Sequence, residues 1–194
     1  DGGFALTWHE RVFSPSARTL TAYFIDAHTG AVVKARNEVK TQGTVGLGTG
    51  VLGDTKKVSV SPSGGQFQAH DRLRPPDILT FDMEGNLNRV FAFLNGQISL
   101  GFADLATDAD NVWSDTAAVD AHAYAGFTYD YFYKRYGRRG LDNKDLRIIS
   151  LVHPVKRQDI FFMDPEIIGL FYLNAAYFGD GVMIYGEGLP SGFT

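Results

Sequence analysis

The chain has 194 residues, 44% apolar and 21% charged, the balance of an ordinary globular protein of one domain or one domain plus a small one. A formal net charge of −4 argues against a general nucleic-acid or membrane-surface binder, and the absence of Cys excludes disulfides, Cys-zinc centres and thiol catalysis. No run of about 18 apolar residues is present, so no segment has the length of a transmembrane helix.

The opening stretch, Asp1-Gly-Gly-Phe-Ala-Leu-Thr-Trp-His9, is not a signal peptide. It has the character of mid-strand sequence, as if the chain starts inside a larger product. Thr19–Ala27 is a strand by its β-branched and aromatic content, His28-Thr-Gly30 a turn, and Ala31–Arg36 the returning strand. The polar stretch Asn37–Gly43 marks a boundary. Short strands are then expected at Thr44–Leu52, Lys57–Val60, Gln66–His70, Ile78–Met83, Val90–Leu94 and Gln97–Leu100. Asn95-Gly96 lies between two apolar runs and predicts a hairpin with a type I′ turn, which needs φ > 0 at both central residues. This pattern is a meander of antiparallel strands.

One long helix follows, within Trp113–Gly137. Ser114 or Asp115 can cap its start, Lys134 and Arg135 suit the negative end of its dipole, and Gly137 is a left-handed stop. Val119, Ala123, Phe127 and Tyr131 on some faces, with Ala121, Ala125, Tyr129, Phe132 and Tyr136 on others, predict a buried helix. Gly126 in mid-helix costs about 1 kcal/mol relative to Ala, so a neighbour should pack closely there. A strand at Leu146–Val152 and an extended apolar run at Leu170–Tyr185 complete the chain. The fold class is therefore α+β: mostly antiparallel strands around one long buried helix, preceded by a small β unit.

Several motifs are ambiguous on chemistry alone. Gly48-Thr-Gly-Val-Leu-Gly53 matches G-x-G-x-x-G, but a turn and a strand follow where a dinucleotide site needs a helix. Its glycines fit strand bends or bulges better. Asp104, Asp108, Asp110 and Asn111 form an oxygen-rich cluster that suits calcium, or else a solvated turn with helix capping. None of the five histidines lie three or four residues apart, so no helical pair is placed for zinc. His122 reads as a hydrogen-bonded core residue, and Asp120 and Asp130 need partners if buried. Lys134–Arg139 is a solvated basic helix end. Tyr172–Gly188 mixes aromatic, amide and small residues, as a core strand or as an edge strand that holds a peptide by main-chain bonds.

Three stretches together resemble the thermolysin-like zinc metallopeptidases, the gluzincins. Gly43–Asp54 is similar to the opening of the mature enzymes. Val119-Asp-Ala-His-Ala-Tyr-Ala-Gly-Phe-Thr-Tyr-Asp-Tyr131 is similar to their first long helix. Asn174-Ala-Ala-Tyr-Phe178 through Met183-Ile-Tyr-Gly-Glu-Gly188 resembles the strand beside the active-site cleft. Residues 20–36, with Tyr23-Phe-Ile-Asp-Ala-His-Thr-Gly-Ala-Val-Val33 at their centre, look like the end of the propeptide that precedes such enzymes.

The resemblance implies two parts: residues 1–42 as the C-terminal part of a propeptide-like (PepSY/FTP-type) β unit, and 43–194 as the N-terminal β-rich domain. The family's His-Glu-x-x-His helix, in which two histidines hold zinc and the Glu acts on water, comes after the Gly-Glu-Gly stretch. Here the chain ends at Thr194. Zinc, its ligands and the general base are thus expected on a missing C-terminal catalytic portion, a separate or clipped chain, and this chain alone is expected to be inactive. The resemblance further implies a secreted, extracellular, bacterial-type zymogen acting on peptide or protein substrates. Asn174, Ala175, Ala176, Tyr177 and Phe178 match the family's substrate-binding strand, with Ala175 standing where the family usually has Asn. Asp108 and Asp110 match its calcium-binding Asp-x-Asp pair, with Val112 in place of a third oxygen donor. The alternative is a non-catalytic peptide-binding or folding-assistant module that keeps the wall without the chemistry.

Overall fold

The computed structural model describes residues 5–14, 19–37 and 43–188. Residues 38–42 of the expected boundary Asn37–Gly43, and the C-terminal stretch 189–194, lie outside the described residues. The chain divides into two compact units, Asp1–Thr41 and Gln42–Thr194.

In the first unit β1 (Thr7–Ser14), β2 (Thr19–Asp26) and β3 (Val32–Asn37) form an antiparallel sheet in the order β1-β2-β3. Asp26 builds the β2–β3 turn by accepting the N–H groups of His28 and Thr29, at 2.9 and 2.8 Å.

In the second unit the first strands are β4 (Thr44–Thr49), β5 (Thr55–Ser63), β6 (Gln66–Gln68), β7 (His70–Asp71) and β8 (Ile78–Asp82). Helix α1 (Leu87–Leu94), β9 (Thr107–Asp108), β10 (Val112–Trp113) and helix α2 (Thr116–Tyr136) follow. The chain continues through β11 (Ile148–Val152), helix α3 (Pro165–Phe171), β12 (Ala175–Gly179) and β13 (Val182–Tyr185). Two five-stranded sheets result, ordered β10-β4-β5-β6-β9 and β12-β13-β11-β8-β7. The first shares a core with α2, centred on Val58, Val60, Trp113, Val119 and Val152. The second packs around Phe81, Met83, Leu151, Phe171 and Ile184, with Leu87 and Phe91 of α1 against them.

The class is α+β, as expected, but three local expectations are corrected. Val90–Leu94 is helix α1, not a strand of a hairpin, and Gln97–Leu100 forms no strand. Leu87, Val90, Phe91 and Leu94 have helical spacing, Asn86 caps the start through Arg89 N–H at 3.0 Å, and Gly96 at φ +69° lies just past the end. Asn95-Gly96 therefore ends a helix. The meander is also incomplete: β11 runs parallel to both β8 and β13, and β10 parallel to β4. Finally, Leu170–Tyr185 is not one extended run. It is the end of α3 followed by a β12–β13 hairpin, turned at Gly179-Asp180-Gly181, all three with φ > 0.

Helix α2 has its expected ends. Asp115 caps it through Ala118 N–H at 3.0 Å, and Gly137 stops it at φ +65°. Its buried residues are Ala118, Val119, Ala121, His122, Ala123, Ala125, Gly126 and Tyr129, whereas Tyr124, Phe127, Tyr131, Phe132, Tyr133 and Tyr136 are exposed. The expectation of burial all round thus holds for one face of its first part. Of the glycines of Gly48–Gly53, two serve close packing, since a Cβ on Gly48 would lie 2.5 Å from Val119 of α2 and one on Gly50 2.3 Å from Asp120 Oδ1, whereas Gly53 takes a turn at φ +79°.

The buried polar groups of α2 find partners. His122 is 2% exposed, with Nε2 2.7 Å from Ser59 O and Nδ1 2.8 Å from Thr80 Oγ1. A carbonyl only accepts, so Nε2 carries the proton and Nδ1 accepts from the Thr80 hydroxyl. Burial pushes this imidazole down to about 4. Asp120 accepts from Val51 N–H at 3.0 Å and pairs with Lys56 at 2.8 Å. Asp130 takes Arg74, whose guanidinium also fills the space beside Gly126, where a Cβ would lie 2.8 Å from Arg74 Cζ.

Candidate peptide-binding edge

β12 is the terminal strand of its sheet and, among the described residues, pairs only with β13. Ala175 faces Tyr185, Ala176 faces Ile184 and Tyr177 faces Met183; the register then shifts, leaving Phe178 as the extra residue of a bulge. Ala175 is exposed and Ala176 half-buried, so the pleat alternates. Tyr177 is 53% exposed and Phe178 37%. Phe178 stacks on Phe171, ring centroids 5.9 Å apart, and Tyr177 Oη accepts from Gly181 N–H at 3.3 Å. Asn174 is exposed, and its carbonyl accepts from Gly186 N–H at 2.8 Å. The five expected wall residues therefore lie in one run along an open edge, with two aromatic rings held beside it. Such an edge can add an extended peptide as a further strand.

Asp108 and Asp110 fold into one tight turn. Asp108 Oδ1 accepts from the N–H groups of Asp110 and Val112, both at 3.1 Å, and Asp110 Oδ1 accepts from Val112 N–H at 2.9 Å. Asp104 does not join them: its carboxylate takes Gly101 N–H at 2.7 Å and pairs with Arg89. Asn111 is also diverted, its side chain bridging Trp113 Nε1 and Val45 O.

A second polar cluster lies at the base of the hairpin. His153, at φ +51°, has Nδ1 2.5 Å from Glu187 Oε1 and Nε2 2.9 Å from Asp115 Oδ2. The Asp115 carboxylate, helped by Glu187, pushes the imidazole up to about 9 against the opposing effect of burial. A cavity of about 720 Å³ opens beside it, lined by Asp82, Glu84, Lys156 and Phe161 among others. Asp82, Asp115 and His153 each place a ligand-type atom within 4.8 Å of the others. Both ring nitrogens of His153 already face carboxylates, so the cluster is an ion-pair network and offers a metal no imidazole lone pair.

The sequence model described as "Thermolysin metallopeptidase, catalytic domain" matches residues 45–194. The chain belongs to the thermolysin metallopeptidase family. Among curated relatives, the bacillolysin of Bacillus amyloliquefaciens is 34% identical over 172 residues, covering 88% of this chain and 29% of that protein. The neutral protease B of Bacillus subtilis is 36% identical over 172 residues, with 88% and 28% covered. The extracellular elastase of Staphylococcus epidermidis is 34% identical over 173 residues, with 88% and 30% covered. The chain thus spans about three-tenths of the length of these relatives.

Membership in the thermolysin family raises the question of zinc. The 194 residues contain no His-Glu-x-x-His, and the His153 cluster is closed by its own ion pairs, so the described residues do not fit a catalytic zinc. Sequence reasoning missed the Asp115–His153–Glu187 network altogether, because its members are far apart in the chain and share no spacing motif.

Proposed function

We propose that this chain supplies the peptide-binding edge strand of a thermolysin-like zinc metalloendopeptidase. Asn174, Ala175, Ala176, Tyr177 and Phe178 receive the substrate backbone as an added strand. The observation that carries this reading is the open edge of β12 with Tyr177 and Phe178 exposed on it. Zinc and the general base belong to a C-terminal catalytic portion outside these 194 residues, which the absence of His-Glu-x-x-His and the partial coverage of the relatives support. The chain by itself binds peptide without hydrolysing it. Its first unit is the end of a propeptide; its compactness, and a family match that begins at residue 45, support that. The complete protein is secreted, in keeping with the relative named an extracellular elastase. Asp108 and Asp110 hold calcium through the carboxylate oxygens not used in their own turn.

The test is binding of an acetylated, amidated Ala-Phe-Leu-Ala peptide to the chain, followed by NMR. Shifts confined to β12, lost in Tyr177→Ala and Phe178→Ala with the fold intact, are the expected result. Binding unchanged by both substitutions would refute the wall. Hydrolysis by this chain alone, without added zinc-bearing portion, would refute the division of labour.

A further inference from the structure

The base of the hairpin is held from two sides. On one side Gly186 N–H donates to Asn174 O at 2.8 Å and Gly188 N–H to Tyr172 O at 2.7 Å. The approach is too close for any side chain: a Cβ on Gly186 would lie 2.3 Å from Tyr172 O. On the other side Glu187, the residue between these glycines, is gripped by His153 at 2.5 Å. The second nitrogen of His153 reaches the cap of α2, Asp115, at 2.9 Å. The backbone of His153 is itself fixed, in the left-handed region, where its carbonyl accepts Gly85 N–H at 2.7 Å.

A ring that donates to two carboxylates at once must carry both protons, since neutral imidazole has a single N–H. The groups facing it are Asp115 of α2, Glu187 beyond β13 and Asp82 of β8, with Glu84, Lys156 and Arg157 on the cavity rim. The nearest three are all acidic and match an imidazolium.

We propose that His153 is a positioning residue for the peptide-binding strand: as an imidazolium it joins Asp115 to Glu187, and so fixes the Gly186–Gly188 segment that holds the Asn174 carbonyl. This rests on the reading of β12 as the peptide edge. Loss of one proton leaves a single N–H for two carboxylates and an unprotonated nitrogen facing the other. The link then opens, and the start of β12 loosens.

The experiment is amide exchange of the chain between pH 7 and 10, expressed as protection factors, with titration by the same Ala-Phe-Leu-Ala peptide. In the wild type, protection at Gly186 and Gly188 falls about tenfold or more as the pH passes through about 9, and peptide affinity falls with it. In His153→Gln, protection is already low at pH 7 and does not change further. Equal, pH-independent protection in both proteins would overturn the proposal. So would wild-type loss of protection with peptide affinity unchanged at every pH. If protection responds as expected but the peptide binds at no pH, the staple stands and the peptide-edge reading falls.

Discussion

Arg74 meets Asp130 fork to fork, Nε on Oδ1 and Nη2 on Oδ2, each at 3.0 Å. The same guanidinium pairs with buried Asp71 and lies across Gly126 in the middle of α2. One side chain thus ties the β7–β8 connection to the helix, and a Cβ at position 126 would press on its guanidinium, 2.8 Å from Cζ.

This sets the sign of a substitution that propensity alone would misjudge. In an open helix Gly→Ala gains about 1 kcal/mol. Here Gly126→Ala should instead destabilise by about 1–2 kcal/mol, because the pinned guanidinium cannot move without breaking its pairs. In an Arg74→Ala background the same substitution should recover its ordinary gain. Urea unfolding of the four proteins of the cycle measures this, with an expected coupling of about 1–3 kcal/mol. Equal effects of Gly126→Ala in both backgrounds would remove Arg74 as the cause.

His122 predicts an acid-sensitive core. Its folded value of about 4 lies below the ordinary 6.5, so the neutral ring contributes stability that is fully present above 6.5. That contribution, on the order of 3 kcal/mol, is lost as the pH falls towards 4. Urea unfolding at steps from pH 7 to 4 should show the decline, and His122→Asn should flatten it. The His122 ring proton followed by NMR should show no titration near 6.5; a midpoint there would contradict the burial.

Calcium at Asp108 and Asp110 would act by mass action on the folded state. With free calcium about a hundredfold above its dissociation constant, the gain is about 2.7 kcal/mol, or roughly 5–10 °C in a domain of this size. A chelator should therefore lower the melting temperature of the wild type and leave Asp110→Ala unmoved. Equal shifts in the two proteins would rule the site out.

The outer half of α2 makes the opposite kind of prediction. Phe127, Tyr131 and Phe132 are 44, 53 and 40% exposed. Replacing each with Ser should change the stability of this chain by no more than about 0.5 kcal/mol. If this aromatic stripe is where the catalytic portion docks, the same substitutions should weaken binding of that portion by at least tenfold in calorimetry. A large loss of stability in the isolated chain would mean the stripe already has a partner within it.

What could be read from sequence was what is decided locally. Asp115, Gly137, Lys134 and Arg135 mark the ends of α2 because caps and dipole act within one turn. The need for a close neighbour at Gly126 was also legible, though not its identity, since Arg74 lies far away in sequence. Asn95-Gly96 misled because the same dipeptide suits a tight hairpin and a helix stop; the spacing of Leu87, Val90, Phe91 and Leu94 was the better signal. Parallel pairing of β8 with β11 leaves no mark on either strand. For Tyr172–Gly188 the residues alone left a core strand and an edge strand equally open, since an aromatic run with glycines serves as either; only the position of β12 at the end of its sheet decides for an edge. The His153 network left no trace at all.

The order β13-β11-β8 has a kinetic consequence. The middle strand of that sheet, β11, is flanked on both sides by parallel neighbours, and everything from Met83 to Arg147, helix α2 included, lies between it and β8. Its first pairing closes a long loop before any contact repays the lost entropy, and the second must wait for α3 and the hairpin turn. Folding should therefore be slow and ordered, with the β4–β5 hairpin and α2 forming early and the β12 edge forming last.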